Sequence, residues 1–155
     1  MFNVNQFFSV SNEWNKNLEK KENLTVFYRF VKLECNHNLN LINCLKTGVG
    51  QQDPEIIEIS NLIETAWLEI YFSEQIRNKS LVSRLKDKFI DNVDEETDDL
   101  VLNILLKIKI IKAINSLSFI DKSGYKKFRL KTRLGFLRNK LVALSIQLDE
   151  KINSL

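Results

Sequence analysis

Between Lys126 and Leu148 the residues Leu130, Leu134, Leu137, Leu141, Leu144 and Leu148 recur at alternating four- and three-residue steps. Such steps keep side chains on one face of a helix with 3.6 residues per turn, so the spacing predicts one continuous amphipathic helix. Upstream, the segment Leu100 to Leu117 carries two stripes at once. Val101, Ile104, Leu105, Ile108 and Ile111 fall on one face, and Leu102, Leu106, Ile110, Ala113 and Leu117 on another. A helix that is apolar on two sides buries two sides. This one is read either as the centre of a bundle or as a surface through which the chain forms a homo-oligomer, and Thr97 or Asp98 is placed to cap it.

The remaining segments follow the same period. Val10, Trp14 and Leu18 share a face in a short amino-terminal docking helix within residues 1–22, and Asn23 is placed to cap the next helix. That second helix, Leu24 to Lys46, carries Phe27, Val31, Leu41 and Leu45 and is ended by Gly48. After a loop from Thr47 to Asp53, the run Asp53-Pro54-Glu55 offers an N-cap acceptor, a residue with φ already fixed and an acid at the positive helix end. The third helix, with Ile56, Ile59, Ile63, Ala66, Trp67 and Ile70 on one side, extends to about Arg77. A shorter one, Leu81 to Val93, carries Leu81, Leu85 and Phe89, and Ser123-Gly124 breaks the chain before the last helix.

Every periodic segment is helical, and four Gly and one Pro leave little material for hairpins. The expected fold is all-α, an antiparallel bundle of four long helices plus one or two short ones, in a single domain over residues 1–155. A chain of that length buries roughly two thirds of its unfolded surface without a metal or a disulfide.

Charge changes this picture. The net charge of +3 is unevenly spread: residues 121–140 hold eight Lys or Arg against the single acid Asp121. Asp91, Asp94, Glu95, Glu96, Asp98 and Asp99 form a short acidic block. Solvated helix faces and internal pairing would account for both, although exposed pairs contribute only about 0–1 kcal/mol each. On the last helix, within residues 122–155, Lys126, Arg129, Arg133, Phe136 and Lys140 follow steps of three and four along one flank of the leucine stripe, over about 21 Å. Lys127, Lys131 and Arg138 line the opposite flank. A row of cations that includes an aromatic ring suits a nucleic-acid backbone, RNA or DNA, since cations neutralise phosphates and a ring stacks on a base. The same row suits an acidic protein partner.

Catalytic chemistry has little to draw on. His37 is the single histidine, so a nucleophile–histidine site would have to be built around it, and a zinc site lacks nitrogen ligands. Cys35 and Cys44, nine residues apart, point to opposite sides of a helix and are read as buried structural thiols. Gly48-Val49-Gly50 is followed by Gln51-Gln52 without the Lys and Ser/Thr of a phosphate-binding loop. No cofactor and no metal is expected. The polar pair that stands out is Glu34 and Asn38, one turn apart within an apolar stripe, which reads as a core polar latch fixing helix register. A buried carboxylate requires a partner, and Arg133 or Arg138 is the expected cation. With no signal-peptide pattern and no apolar run of about 18 residues, a cytoplasmic setting without a membrane is the default.

The run Leu137-Arg138-Asn139-Lys140-Leu141 resembles the start of the motif of HEPN-type helical ribonucleases, in which an Arg followed by a polar residue precedes a His. Here the positions where that His would fall hold Ala143, Leu144 and Ser145, so the resemblance, over five residues, implies an RNA- or partner-binding protein of a defence or toxin–antitoxin system that does not cleave. The residues themselves favour a different expectation, a non-enzymatic accessory or adaptor subunit that uses its basic last helix to contact nucleic acid or an acidic partner.

Overall fold

The computed structural model describes residues 4–45, 53–76, 96–118 and 129–155. They form five α-helices and, among the described residues, no strand. These are α1 (Val4–Cys44), α2 (Asp53–Leu62), α3 (Ala66–Tyr71), α4 (Thr97–Ser118) and α5 (Leu130–Ser154), with a π-helical turn, Phe72–Ile76, continuing α3. Three helices are therefore long and two short, where four long ones were expected. The helix expected over Leu81–Val93, the Gly48 loop, the Ser123-Gly124 break, half of the acidic block and Lys126 and Lys127 lie outside the described residues.

Two boundaries differ from the sequence reading. The docking helix of residues 1–22 is not separate, because α1 runs unbroken from Val4 to Cys44. No Gly or Pro interrupts it, and an interior Asn costs a helix only a few tenths of a kcal/mol. Thr25 Oγ1 donates to the carbonyl of Lys21 at 2.9 Å, across the place where Asn23 was expected to cap a new helix. Leu18, expected to dock, is exposed. The third helix, expected to be continuous, breaks over Ile63–Thr65. That break shifts the helical phase, so Leu68 and Tyr71 are buried while Ala66 and Ile70 face outward.

The core lies where α1, α4 and α5 pack together, with α2 and α3 closing one side. All six leucines of the α5 stripe are buried, at 0–1% exposure. They pack with Val31, Cys35 and Ile42 of α1 and with Val101, Ile104 and Ile108 of α4 in one cluster. Polar pairs fix how α1 and α5 run. Lys32 is ion-paired with Asp149, Ser145 Oγ donates to Asn36 Oδ1 at 3.4 Å, and Arg138 Nε donates to Asn43 Oδ1 at 2.9 Å. Steps of four and seven residues forward on α1 match the same steps backward on α5, so the helices are antiparallel in one register. The α2–α3 strip likewise runs against α4. Asn115 Nδ2 donates to the carbonyl of Ile57 at 3.2 Å and to Asn61 Oδ1, while Tyr71 OH donates to Asp98 Oδ1 at 2.7 Å.

Cys35 is buried as expected, and burial pushes its thiol up to about 12, with the Glu34 carboxylate adding to the shift. Cys44 departs from the expectation: it is exposed, its Sγ 3.2 Å from the carbonyl of Asn40. Among the described residues no helix is long and apolar enough to cross a membrane.

Candidate functional site

Two groups of predicted residues come into view, one on the surface and one inside. The surface group is the basic flank of α5. Its position follows from one contact near the far end of the helix, where Thr97 Oγ1 of α4 donates to Gln147 Oε1 at 2.8 Å. Seven, four, three and four residues back from Gln147, in turn, lie Lys140, Phe136, Arg133 and Arg129, so the ladder is the same helical row. It occupies the α4-facing edge of α5. Arg129, Arg133 and Phe136 are exposed, Phe136 at 59%, and Lys140 is half-buried.

The second flank is not equivalent. Arg138 is half-buried and turned toward Asn43 of α1, while Lys131 is exposed. A helix gripped on one side by α1 and on the other by α4 offers solvent only its outer face and the edges of its flanks. Residue numbers alone do not reveal which edge is which. The Asn43–Arg138 and Thr97–Gln147 contacts do.

The neighbouring helix α4 is basic too, with Lys109 and Lys112 in the helical row of Asp98, which meets Tyr71 of α3. Between Leu100 and Ser118 the charged residues of α4 are Lys107, Lys109 and Lys112, with no acid. Sequence reasoning centred on α5 passed over these lysines, and the signal for them was the absence of Asp and Glu from that stretch. Arg129 has a further peculiarity. It precedes α5 with φ 52° and ψ 52°, the one positive-φ residue other than glycine among those described. A left-handed backbone costs a side-chain-bearing L-residue roughly 1–2 kcal/mol. Its carbonyl accepts from the Arg133 amide at 3.0 Å, which fixes the first turn of α5 between two ladder arginines.

The interior group is Glu34 and Asn38, 5% and 0% exposed. The expected cation is not what meets Glu34. Its Oε2 accepts the Trp67 amide at 2.8 Å and its Oε1 the Leu68 amide at 3.0 Å. Those are the second and third amides of α3, the ones a capping side chain normally takes. The local candidate, Thr65, does not take them; its hydroxyl bonds to Glu69 Oε1 at 3.2 Å instead. One turn along α1, Asn38 binds the Glu64 backbone from both ends, Nδ2 donating to its carbonyl at 2.8 Å and Oδ1 accepting from its amide at 2.9 Å. The break in the α2–α3 strip is thus filled by α1. Amide donors and the positive end of a short helix take the role expected of Arg133 or Arg138. Burial raises the Glu34 carboxyl above its ordinary value and outweighs the two amide bonds that lower it; Glu64 and Glu69 nearby add to the rise.

His37 stands beside this junction, half-exposed, with Nε2 3.9 Å from Glu64 Oε1. Among the described residues no three His, Cys, Asp or Glu side chains converge as a metal site. Of the residues carrying the HEPN resemblance, Arg138 is bonded to Asn43 and Leu141 is in the core, while Leu144, at one of the positions for the missing His, is buried too. The chain matches no family model, no curated protein and no solved structure.

Proposed function

We propose that the protein is a non-enzymatic accessory subunit that engages nucleic acid through the α4-facing edge of α5. The observation that carries this is the charge segregation of α5, with a second acid-free stretch on α4. The stretches Arg129 to Lys140 on α5 and Lys107 to Lys112 on α4 together hold five Lys and three Arg and no Asp or Glu, so every charged side chain in either is a cation. Positive charge gathered on adjacent helices raises the local potential and draws a polyanion. The described part of the ladder, Arg129 to Lys140, covers about 16 Å, some four or five nucleotide steps along one strand. Phe136 within it offers a ring for stacking.

The test is fluorescence anisotropy of the full chain with labelled single- and double-stranded RNA and DNA at about 50 to 200 mM salt. Binding that weakens steeply with salt is expected. Changing Arg129 and Arg133 together to Glu should lower the affinity and flatten the salt slope by about one unit for each phosphate that is no longer neutralised. Unaltered affinity in that variant removes the proposal. Absence of binding at the lowest salt leaves the same edge to an acidic protein partner.

Arg129 allows a second check that separates binding from folding. Arg129→Gly relieves the left-handed backbone, so its melting midpoint should rise by an amount worth up to about 1 kcal/mol, while nucleic-acid affinity falls. A variant that loses stability and keeps its affinity would count against a binding role for this arginine.

A further inference from the structure

The solvent-facing side of α5 is divided lengthwise. On its α4-facing edge stand Arg129, Arg133 and Lys140. Beside them Thr132, Gly135, Asn139, Val142 and Ile146 follow steps of three, four, three and four, so they form a neighbouring row. Each of these five is exposed, none is charged, and the row covers about 21 Å. Phe136 lies three residues after Arg133 and three before Asn139, which sets its ring on the border between the cations and the uncharged row. At 59% it is the most exposed aromatic side chain among the described residues.

We propose that the ligand of this edge is single-stranded nucleic acid, with its phosphates on the cation side and an unpaired base laid across Phe136 onto the uncharged row. The inference rests on the nucleic-acid reading above and narrows it to one class of strand. A single strand has the same lengthwise division as the helix, with charge along one edge and neutral base faces along the other. In a duplex those faces are stacked on one another and closed to a ring approaching from the side. A helix seated in a duplex groove lies between two backbones and would use cations on both flanks. Here Arg138, on the opposite flank, is half-buried and turned to Asn43.

Gly135 supplies the second observation. A glycine in a helix interior weakens the helix. Among the described residues nothing packs within 4 Å of the point where a Cβ would stand on it, so no close approach within the fold requires a glycine there. A base crossing from Phe136 does, because a position without a side chain leaves bare backbone beside the ring for a flat group to lie on. Thr132 and Asn139, about one turn to either side, add a hydroxyl and an amide that can donate to and accept from a base edge.

The experiment is fluorescence anisotropy of the full chain with labelled oligouridine, oligothymidine and a mixed-sequence DNA duplex, each about twelve nucleotides long, at one low salt concentration. Both single strands are expected to bind at least about tenfold more tightly than the duplex, and a difference between them assigns the sugar. Phe136→Leu keeps an apolar side chain without a π face. It should weaken single-strand binding by about tenfold and leave duplex binding unchanged, whereas Phe136→Trp should match wild type. Gly135→Leu should weaken single-strand binding with unaltered helical circular dichroism, since the added side chain has open space. Duplex binding as tight as single-strand binding, with both lost on changing Arg129 and Arg133 to Glu, overturns this inference and leaves the nucleic-acid reading standing. Equal single-strand affinity in wild type and Phe136→Leu overturns the stacking. Binding to none of the three probes overturns the nucleic-acid reading itself and this inference with it.

Discussion

Replacing Leu141 with Ala is expected to destabilise the protein by about 2–5 kcal/mol, among the largest effects a single change here can produce. Leu141 is fully buried in the middle of the α5 stripe, among residues of both α1 and α4. Removing its side chain takes away transfer free energy and leaves a cavity that three long helices cannot easily close. A loss of about 3 kcal/mol lowers the melting midpoint of a chain this size by roughly 6–12 °C. The control is Ile146→Ala, five residues further along the same helix but 55% exposed, which should shift stability by no more than about 0.5 kcal/mol. Chemical denaturation of the two variants side by side gives the answer. Equal losses would mean that α5 is not seated on its leucine stripe.

The second large effect concerns Glu34. Its two carboxylate oxygens satisfy two amides at the start of α3, so Glu34→Ala leaves both without an acceptor and is expected to cost about 2–3 kcal/mol. Glu34→Gln keeps one acceptor oxygen and should cost about 1 kcal/mol at the acidic end of the range, where burial favours the protonated carboxyl in the fold. The pH dependence separates charge from geometry. Because the folded carboxyl titrates above its ordinary value of 4.5, the native state holds a proton that the unfolded chain has released. The unfolded state then binds fewer protons, and stability falls as pH rises. The contribution of Glu34 is complete below 4.5 and is lost as pH climbs through the raised folded value. Urea denaturation from pH 4 to pH 7 should therefore show the Gln variant closing on wild type with rising pH. A gap of constant size would show that the carboxyl is not titrating in this window.

The helices that could be read from the sequence are those whose determinants are local. The α5 stripe repeats over six leucines, and each of them is buried. On α4 the two faces were legible, but which one the core takes depends on where α5 sits. The burial of Glu34 and Asn38 followed from their place in an apolar stripe, whereas their partners did not. A carboxylate suggests a cation by residue type, and backbone amides exposed by a break in another helix have no residue type to announce them. The break itself was hidden for the same reason. Nothing between Asn61 and Trp67 is a strong helix breaker, and what holds Ile63–Thr65 out of the helix is contributed by α1, some thirty residues upstream. The long α1 was divided at Asn23 because a capping residue was read as a cap, when it stands in the interior of a helix that continues past it. On the basic flank, the order of cations was legible and their accessibility was not, since the half-burial of Arg138 comes with its contact to Asn43 of α1.

The seam between α1 and α5 also bears on how the chain acquires its structure. Lys32 meets Asp149 across 117 residues of sequence, and Asn43 meets Arg138 across 95. Contacts so distant require loop closure before any stabilisation is gained, which slows folding. On the ribosome α1 emerges before α5, and the apolar side carrying Val31, Cys35 and Ile42 has no α5 to meet until the leucines of that helix have been made. At about 5–20 residues per second, that interval lasts several seconds. For that time the growing polypeptide presents a long, greasy, unfinished helix, the kind of surface that a general chaperone binds.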